Sequence, residues 1–303
     1  GVRLVGSEMC IRDRDSFEWP LNLIDFETTG PAIPFFKGYK PYQGLCFQFS
    51  HHVLYEDGKV EHIGEYLGRG QGTNPSFEFI DELYISLSKN DGSVFMYSNH
   101  ENTYLNYMII LLGEESPYSQ EKTEKLILFL QSLTKPSGDI TAKWEEGSRK
   151  MIDMADMVRD YYWHPYMKGS NSIKKVLPAI MNDSQFIKDK YSKAIYGINK
   201  EVKSKNFKSH KWVKFEKDGT VIDPYKSLPD LEKITPEGLS KVENLYSNDK
   251  LNDGGAAMIA WAFMQFGEMG EEEKERISKA LKRYCELDTM AMVMIMEAWI
   301  DMV

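Results

Sequence analysis

At 303 residues and 35.0 kDa, the chain is long enough for one large domain or two small ones, and 42% hydrophobic content is ordinary for a globular core. The sequence contains no apolar run approaching a membrane span, and Cys10, Cys46 and Cys285 show no metal-type spacing, which favours a reducing, cytoplasmic setting without a disulfide framework. The net charge of −9 argues mildly against broad nonspecific nucleic-acid binding but leaves room for a local basic track.

Gly1 to Arg14 lacks a sustained period and the flanks of a signal peptide, and it resembles a translated sequencing-adapter artefact. The expectation is a non-native leader over 1–14, followed by a single domain over 15–303 with an insertion at about 185–250. The native upstream sequence is then missing, and the chain is expected to be the last domain of something longer.

Leu21 to Gly30 reads as a buried strand ending in Asp25-Phe26-Glu27, then Gly30-Pro31. Side chains alternate along a strand, so Asp25 and Glu27 share a face. Two carboxylates at the end of a buried strand repel each other, and a divalent cation is the simplest remedy. A solvated, inert strand end is the alternative. Leu45 to Leu54 and Val60 to Leu67 are the next strands, joined across the Glu56-Asp57-Gly58 turn, and short connections make the three an antiparallel meander.

Asn74-Pro75 opens an amphipathic helix to about Lys89, Ser93 to Ser98 is a further buried strand, and His100 to Leu112 is another helix. A helical crossover implies parallel pairing. The order β-β-β-α-β-α is that of an RNase H-like fold, an α/β architecture. At its Met96-to-Glu101 junction an acid is delivered where functional groups collect in open sheets, although Glu101 at a helix N-terminus is also an ordinary charge-dipole partner. His100 reads as a local cap or packing residue.

Ser119 to Leu133 is a helix capped by Ser119, and Lys135 to Asp139 breaks the chain. Lys150 to Asp156 is a short strand or strand-helix junction bearing acids. Ser170 or Ser172 caps a helix whose first turn presents Lys174, a geometry that also suits a phosphate. From Lys193 to Lys217, eight lysines stand against Glu201 and Glu216, with Tyr196, Phe207, Trp212 and Phe215 interleaved. This Lys/aromatic excursion can meet a phosphate backbone and unstacked bases, or its aromatics can pack back on the domain. Thr235-Pro236-Glu237 opens a short helix, and Asp253-Gly254-Gly255 precedes an apolar helix from Ala256 to Phe266. In the long final helix, Tyr284 and Asp288 are one turn apart on one face.

Asp25-x-Glu27 on a first strand, an acid at a strand-helix junction and Tyr284-x-x-x-Asp288 on a terminal helix resemble the DEDD superfamily of 3′→5′ exonucleases, in its tyrosine-bearing branch. More closely, the chain resembles an uncharacterised bacterial domain-of-unknown-function family often found C-terminal to a RecB-like nuclease region. That likeness rests on Asp25-Phe26-Glu27-Thr28, Pro41-Tyr42-Gln43, Phe47-Gln48-Phe49-Ser50, His52, His164-Pro165, Gly169-Ser170, Asp253-Gly254-Gly255 and Tyr284 to Thr289, among others. One departure is that the superfamily's second motif supplies an Asp where this chain has Glu101, with Asp153 as the fallback ligand.

The resemblance implies hydrolysis of a nucleic-acid phosphodiester with two Mg²⁺ or Mn²⁺ ions about 3.5–4 Å apart, acting as an exonuclease on a single-stranded 3′ end of DNA or RNA. Asp25 would bridge both ions, Glu27 and Asp288 would hold the one that activates water, Glu101 would support the second, and Tyr284 would orient the attacking water. Thr28, Asn99, Ser172, Lys174, Lys211 and Trp212 are the expected substrate contacts. Other expectations are a catalytically silent nucleic-acid-binding module, a metal-dependent hydrolase of small phosphoesters, and a structural partner of a RecB-like nuclease domain upstream.

Overall fold

The computed structural model describes residues 3–4, 16–69, 72–137, 144–228 and 255–302. Three long strands, β2 (Leu21–Thr29), β3 (Leu45–Leu54) and β4 (Val60–Leu67), form the expected antiparallel meander. The short strands β5 (Val94–Met96) and β6 (Ile152–Asp153) add in parallel beside β2. On the other edge, β9 (Val202–Lys203) pairs parallel with β4, and β8 (Tyr196–Gly197) follows it. The seven-stranded order is therefore β6-β5-β2-β3-β4-β9-β8, and its first five strands have the RNase H-like arrangement read from the sequence. A separate two-residue ladder joins the backbone of β1 (Arg3–Leu4), inside the expected leader, to β7 (Tyr162–Trp163).

Eight α-helices flank the sheet among the described residues: α1 (Ser76–Leu87), α2 (His100–Glu115), α3 (Gln120–Leu133), α4 (Met154–Tyr161), α5 (Ile173–Asp183), α6 (Gln185–Tyr191), α7 (Ala256–Phe266) and α8 (Glu271–Asp301). The alternation of β2 sorts them into two layers. Ile24 and Phe26 join Phe79, Ile80 and Leu83 of α1, Leu105 and Met108 of α2, and Leu126 and Leu130 of α3 in one core. Leu21 and Leu23 face the other way, into a core with Val176, Leu177 and Ile180 of α5 and Leu287, Met290 and Met294 of α8. Asp25 and Glu27 continue this second face, so the alternation that buries leucines at the start of β2 aims two acids toward α8 at its end.

Helix ends follow local chemistry. Ser119 Oγ accepts from the Lys122 N–H and starts α3 as expected. Asp153 Oδ1 accepts from the Ala155 N–H and starts α4. Ser172 occupies the position before α5, but its side chain makes no capping bond, so α5 begins on backbone geometry rather than on the expected serine cap.

The Lys/aromatic excursion is corrected in part. All eight lysines from Lys193 to Lys217 are exposed, but Tyr196, Phe207 and Trp212 are buried and pack edge-on around one another. Trp212 is 2% exposed and cannot offer a ring face to a base. A Trp side chain gains more by leaving water than a solvated platform returns, so these aromatics fasten β8 and β9 to the domain. The helix expected at Thr235-Pro236-Glu237, Asp139, Asp253-Gly254 and the rest of the leader lie outside the described residues.

Candidate metal centre

Four acids from three elements meet at the end of β2. Asp25 and Glu27 come from the strand, Glu101 from the first turn of α2, and Asp288 from the middle of α8. Carboxylate oxygens of Asp25, Glu27 and Asp288 lie within 4.8 Å of one another. Glu27, Glu101 and Asp288 are buried, and Asp25 is half-buried.

Burial acts first on all four, and their mutual repulsion adds to it. Asp25 is pushed well above the usual carboxylate range by burial, then by the charges of Asp288, Glu101 and Glu27. Glu27 rises for the same reasons, with Lys174 partly offsetting Asp288. Burial lifts Glu101 to about 8, although backbone N–H groups of Glu101 and Phe26 pull against it. Asp288 is lifted by burial to about 6, restrained by Tyr225 and Lys174. Such a set either holds protons or holds a cation.

The residues fit a divalent cation on three counts. Their donors are all hard carboxylate oxygens, the type that suits Mg²⁺ and Mn²⁺. They converge from separate elements. Finally, Oε2 of Glu101 is fully buried and accepts no hydrogen bond from the described residues, a costly state for an ionised oxygen unless an ion completes it.

The remaining geometry orients these acids. Tyr225 Oη donates to Asp288 Oδ1 at 2.5 Å. Cys285 Sγ lies 3.6 Å from both the backbone oxygen and Oδ2 of Asp25, and burial keeps it a thiol. Lys174 Nζ stands 5.5 Å from the centre of the Tyr284 ring and 5.7 Å from that of Tyr225, placing a cation against two aromatic faces beside the acids. Before α2, Ser98 has a φ of +80° and donates its N–H to Asp153 Oδ1 at 2.8 Å. This left-handed backbone, unfavourable for a non-glycine residue, turns the chain so that Glu101 faces the cluster. The same Asp153 oxygen also caps α4, so it orders the backbone at both sides of this junction.

The expected substrate contacts are placed unevenly. Thr28 Oγ1 lies 2.8 Å from His100 Nε2, at the rim beside β2. Asn99 is exposed, reaches Thr103 Oγ1 at 3.4 Å, and lines a cleft with Lys135, Lys150 and Asp153. Ser172 and Lys174 open α5 next to the acids. Lys211 is exposed on the excursion, while Trp212 is in its core. Tyr284 packs partly buried against the cluster of Phe47, Trp261 and Leu281. Sequence reasoning did not single out Tyr225 or Cys285. Cys285 adjoins the Tyr-x-x-x-Asp motif and could have been suspected, whereas nothing in Asp223-Pro224-Tyr225 signals a bond to a residue 63 positions away.

Fold and site together define an α/β protein with a mixed sheet and a buried four-carboxylate centre at the end of its first long strand. Residues 22–172 match the model of a family described as a domain of unknown function (DUF2779). The match includes Asp25, Glu27 and Glu101, while Lys174, Tyr225 and Asp288 lie beyond it. No curated protein and no solved structure matches the chain.

Proposed function

We propose that the chain is a metal-dependent phosphodiesterase acting on nucleic acid, an exonuclease that removes nucleotides from single-stranded 3′ ends. The observation that carries this reading is the convergence of Asp25, Glu27 and Asp288 within 4.8 Å, beside the buried, unpartnered oxygen of Glu101. When bound, a pair of Mg²⁺ or Mn²⁺ ions supplies Lewis-acid polarisation of the scissile phosphate and makes water more acidic.

The chain's own residues then have distinct tasks. Asp25, Glu27, Glu101 and Asp288 would hold the ions, with Asp25 on the strand facing the other three acids. Tyr225 fixes the Asp288 carboxylate by donating to Oδ1. Lys174 balances negative charge where a substrate phosphate would arrive. Tyr284, one turn before Asp288 on the same face of α8, positions the attacking water. Exposed Lys211 and its neighbours on the excursion steer the polymer by charge, a task that does not require the buried Trp212. The setting is a reducing cytoplasm, in which buried Cys46 and Cys285 remain free thiols.

The test is nucleotide release from 3′- and 5′-labelled single-stranded DNA and RNA with Mn²⁺ or Mg²⁺. Wild type should shorten the strand stepwise from the 3′ end, and Asp25→Ala and Asp288→Ala should each remove that activity by more than the ~10–100-fold typical of losing an outer-shell partner. A folded, metal-binding wild type that cleaves neither polymer would refute the reading and favour a small-phosphoester substrate.

A further inference from the structure

A second titratable cluster lies deeper, under the same helix but outside the carboxylate centre. His52 of β3, His62 of β4 and Glu286 of α8 are all buried, and one potential ligand atom from each lies within 4.8 Å of the others. The two imidazoles stack with ring centres 4.7 Å apart. His62 Nδ1 stands 3.3 Å from Glu286 Oε1. His52 Nε2 stands 3.0 Å from the Tyr196 hydroxyl, which itself donates to Glu286 Oε1. His52 Nε2, His62 Nδ1 and Glu286 Oε1 therefore converge, with the hydroxyls of Tyr196 and Ser204 both donating to Oε1.

The far side of each ring is already engaged. His62 Nε2 is 3.1 Å from Ser50 Oγ, and His52 Nδ1 is 2.7 Å from Thr289 Oγ1. Ser50 Oγ is 2.7 Å from Thr289 Oγ1, which reaches the Glu286 backbone oxygen at 3.2 Å. This chain is satisfied when both far nitrogens carry their protons: His62 donates to Ser50, Ser50 and His52 donate to Thr289, and Thr289 donates to the helix carbonyl. Both near nitrogens are then bare. The Lys205 N–H also points at His62 Nδ1, from a long 3.4 Å, a contact that an ion on this nitrogen would displace. A bare Nδ1 lies against a carboxylate oxygen, two acceptors facing each other at 3.3 Å. A proton on His62 or a metal ion belongs between them.

No Lys or Arg pairs with Glu286 among the described residues. Asn206 Nδ2 donates to Oε2 at 2.8 Å and fixes the carboxylate plane. An imidazole whose distant N–H is anchored by a hydrogen bond, beside an oriented carboxylate, is the outer-shell pattern of metal ligands. Tetrahedral bonds of about 2.0–2.1 Å place ligand atoms about 3.3 Å apart, the separation of His62 Nδ1 and Glu286 Oε1.

We propose that His52, His62 and Glu286, joined by the Tyr196 hydroxyl once it gives up its hydrogen bond to Glu286, form a closed tetrahedral site for Zn²⁺ or a similar late divalent ion, structural rather than catalytic and independent of the carboxylate centre. The mixed nitrogen and oxygen donors separate it from that all-oxygen centre, which suits harder ions. With no open position, the ion would tie β3, β4, the excursion and α8 together. Binding forms the metal–ligand bonds and releases any proton held between these groups to solvent.

Titration of chelator-treated, full-length chain with Co²⁺ tests this. Wild type should develop the intense visible bands of tetrahedral Co²⁺ to a stoichiometry of one per chain, and Zn²⁺ should abolish them. The Asp25→Asn, Asp288→Asn double variant should retain the bands, whereas His62→Gln should lose them. X-ray absorption of the Zn²⁺-loaded wild type needs no substitution and should show two imidazole ligands. A folded wild type without tetrahedral bands, bands that depend on Asp25 and Asp288, or a Zn²⁺ shell without imidazole would each overturn the proposal. Nuclease assays do not enter these readouts, so the two proposals can fail separately.

Discussion

Tyr225 shows how a single hydroxyl governs the site. Its bond to Asp288 Oδ1 points the carboxylate at Asp25 and Glu27 and restrains the rise of Asp288 to about 6, below Glu101 at about 8. Tyr225→Phe retains the ring against Lys174 and removes only the donor. We expect ~10–100-fold weaker Mn²⁺ affinity and activity, with the melting temperature little changed, read by calorimetric titration and strand-shortening rate. The acids themselves were legible from sequence because Asp-x-Glu at a strand end and Tyr-x-x-x-Asp on a helix are local patterns with fixed geometry. Tyr225 was not legible, because its partner is chosen by the path of the chain between α6 and α8 and not by spacing.

Among the elements, the excursion marks the limit of local reasoning. The bounds of β3, β4 and α7 coincide with those expected, because alternation, turns and flanking glycines are written within each segment. The segment from Lys193 to Lys217 has no period, so its aromatics could equally face bases or the core. Two-residue strands settle it: β9 and β8 extend the sheet beyond β4, and Tyr196, Phe207 and Trp212 fill the space beneath. Trp212→Ala should therefore cost about 3–5 kcal/mol of stability in denaturant unfolding. Lys211→Ala should leave stability unchanged and reduce the salt dependence of single-strand binding by about one phosphate contact. A Trp212 variant that remains as stable as wild type but binds nucleic acid poorly would contradict this packing.

For the whole molecule, the carboxylate centre links stability to pH and to metal. Glu101 is held at about 8 against an ordinary 4.5, and Asp288 at about 6 against 3.8, so between those values the metal-free folded chain binds more protons than the unfolded chain. Stability is then full below about pH 4 and falls as pH rises toward about 8, by about 1.4 kcal/mol per pH unit for each extra proton held. Mg²⁺ or Mn²⁺ should flatten that fall, and Glu101→Gln should flatten it in chelator, as measured by melting temperature from about pH 5 to about pH 8. Melting curves in chelator that rise with pH would contradict the buried arrangement of the acids. The position of Asp288 along α8 has a further, kinetic consequence. The helix spans 31 residues, about 46 Å, and every residue from Cys285 to Ala298 is buried, whereas Glu271 and Glu272 at its start are exposed. Fraying can therefore proceed from Glu271 without reaching the acid. The amides around Asp288 belong to the slowest-exchanging class, which opens only in global unfolding, so the lifetime of the assembled site equals the lifetime of the fold.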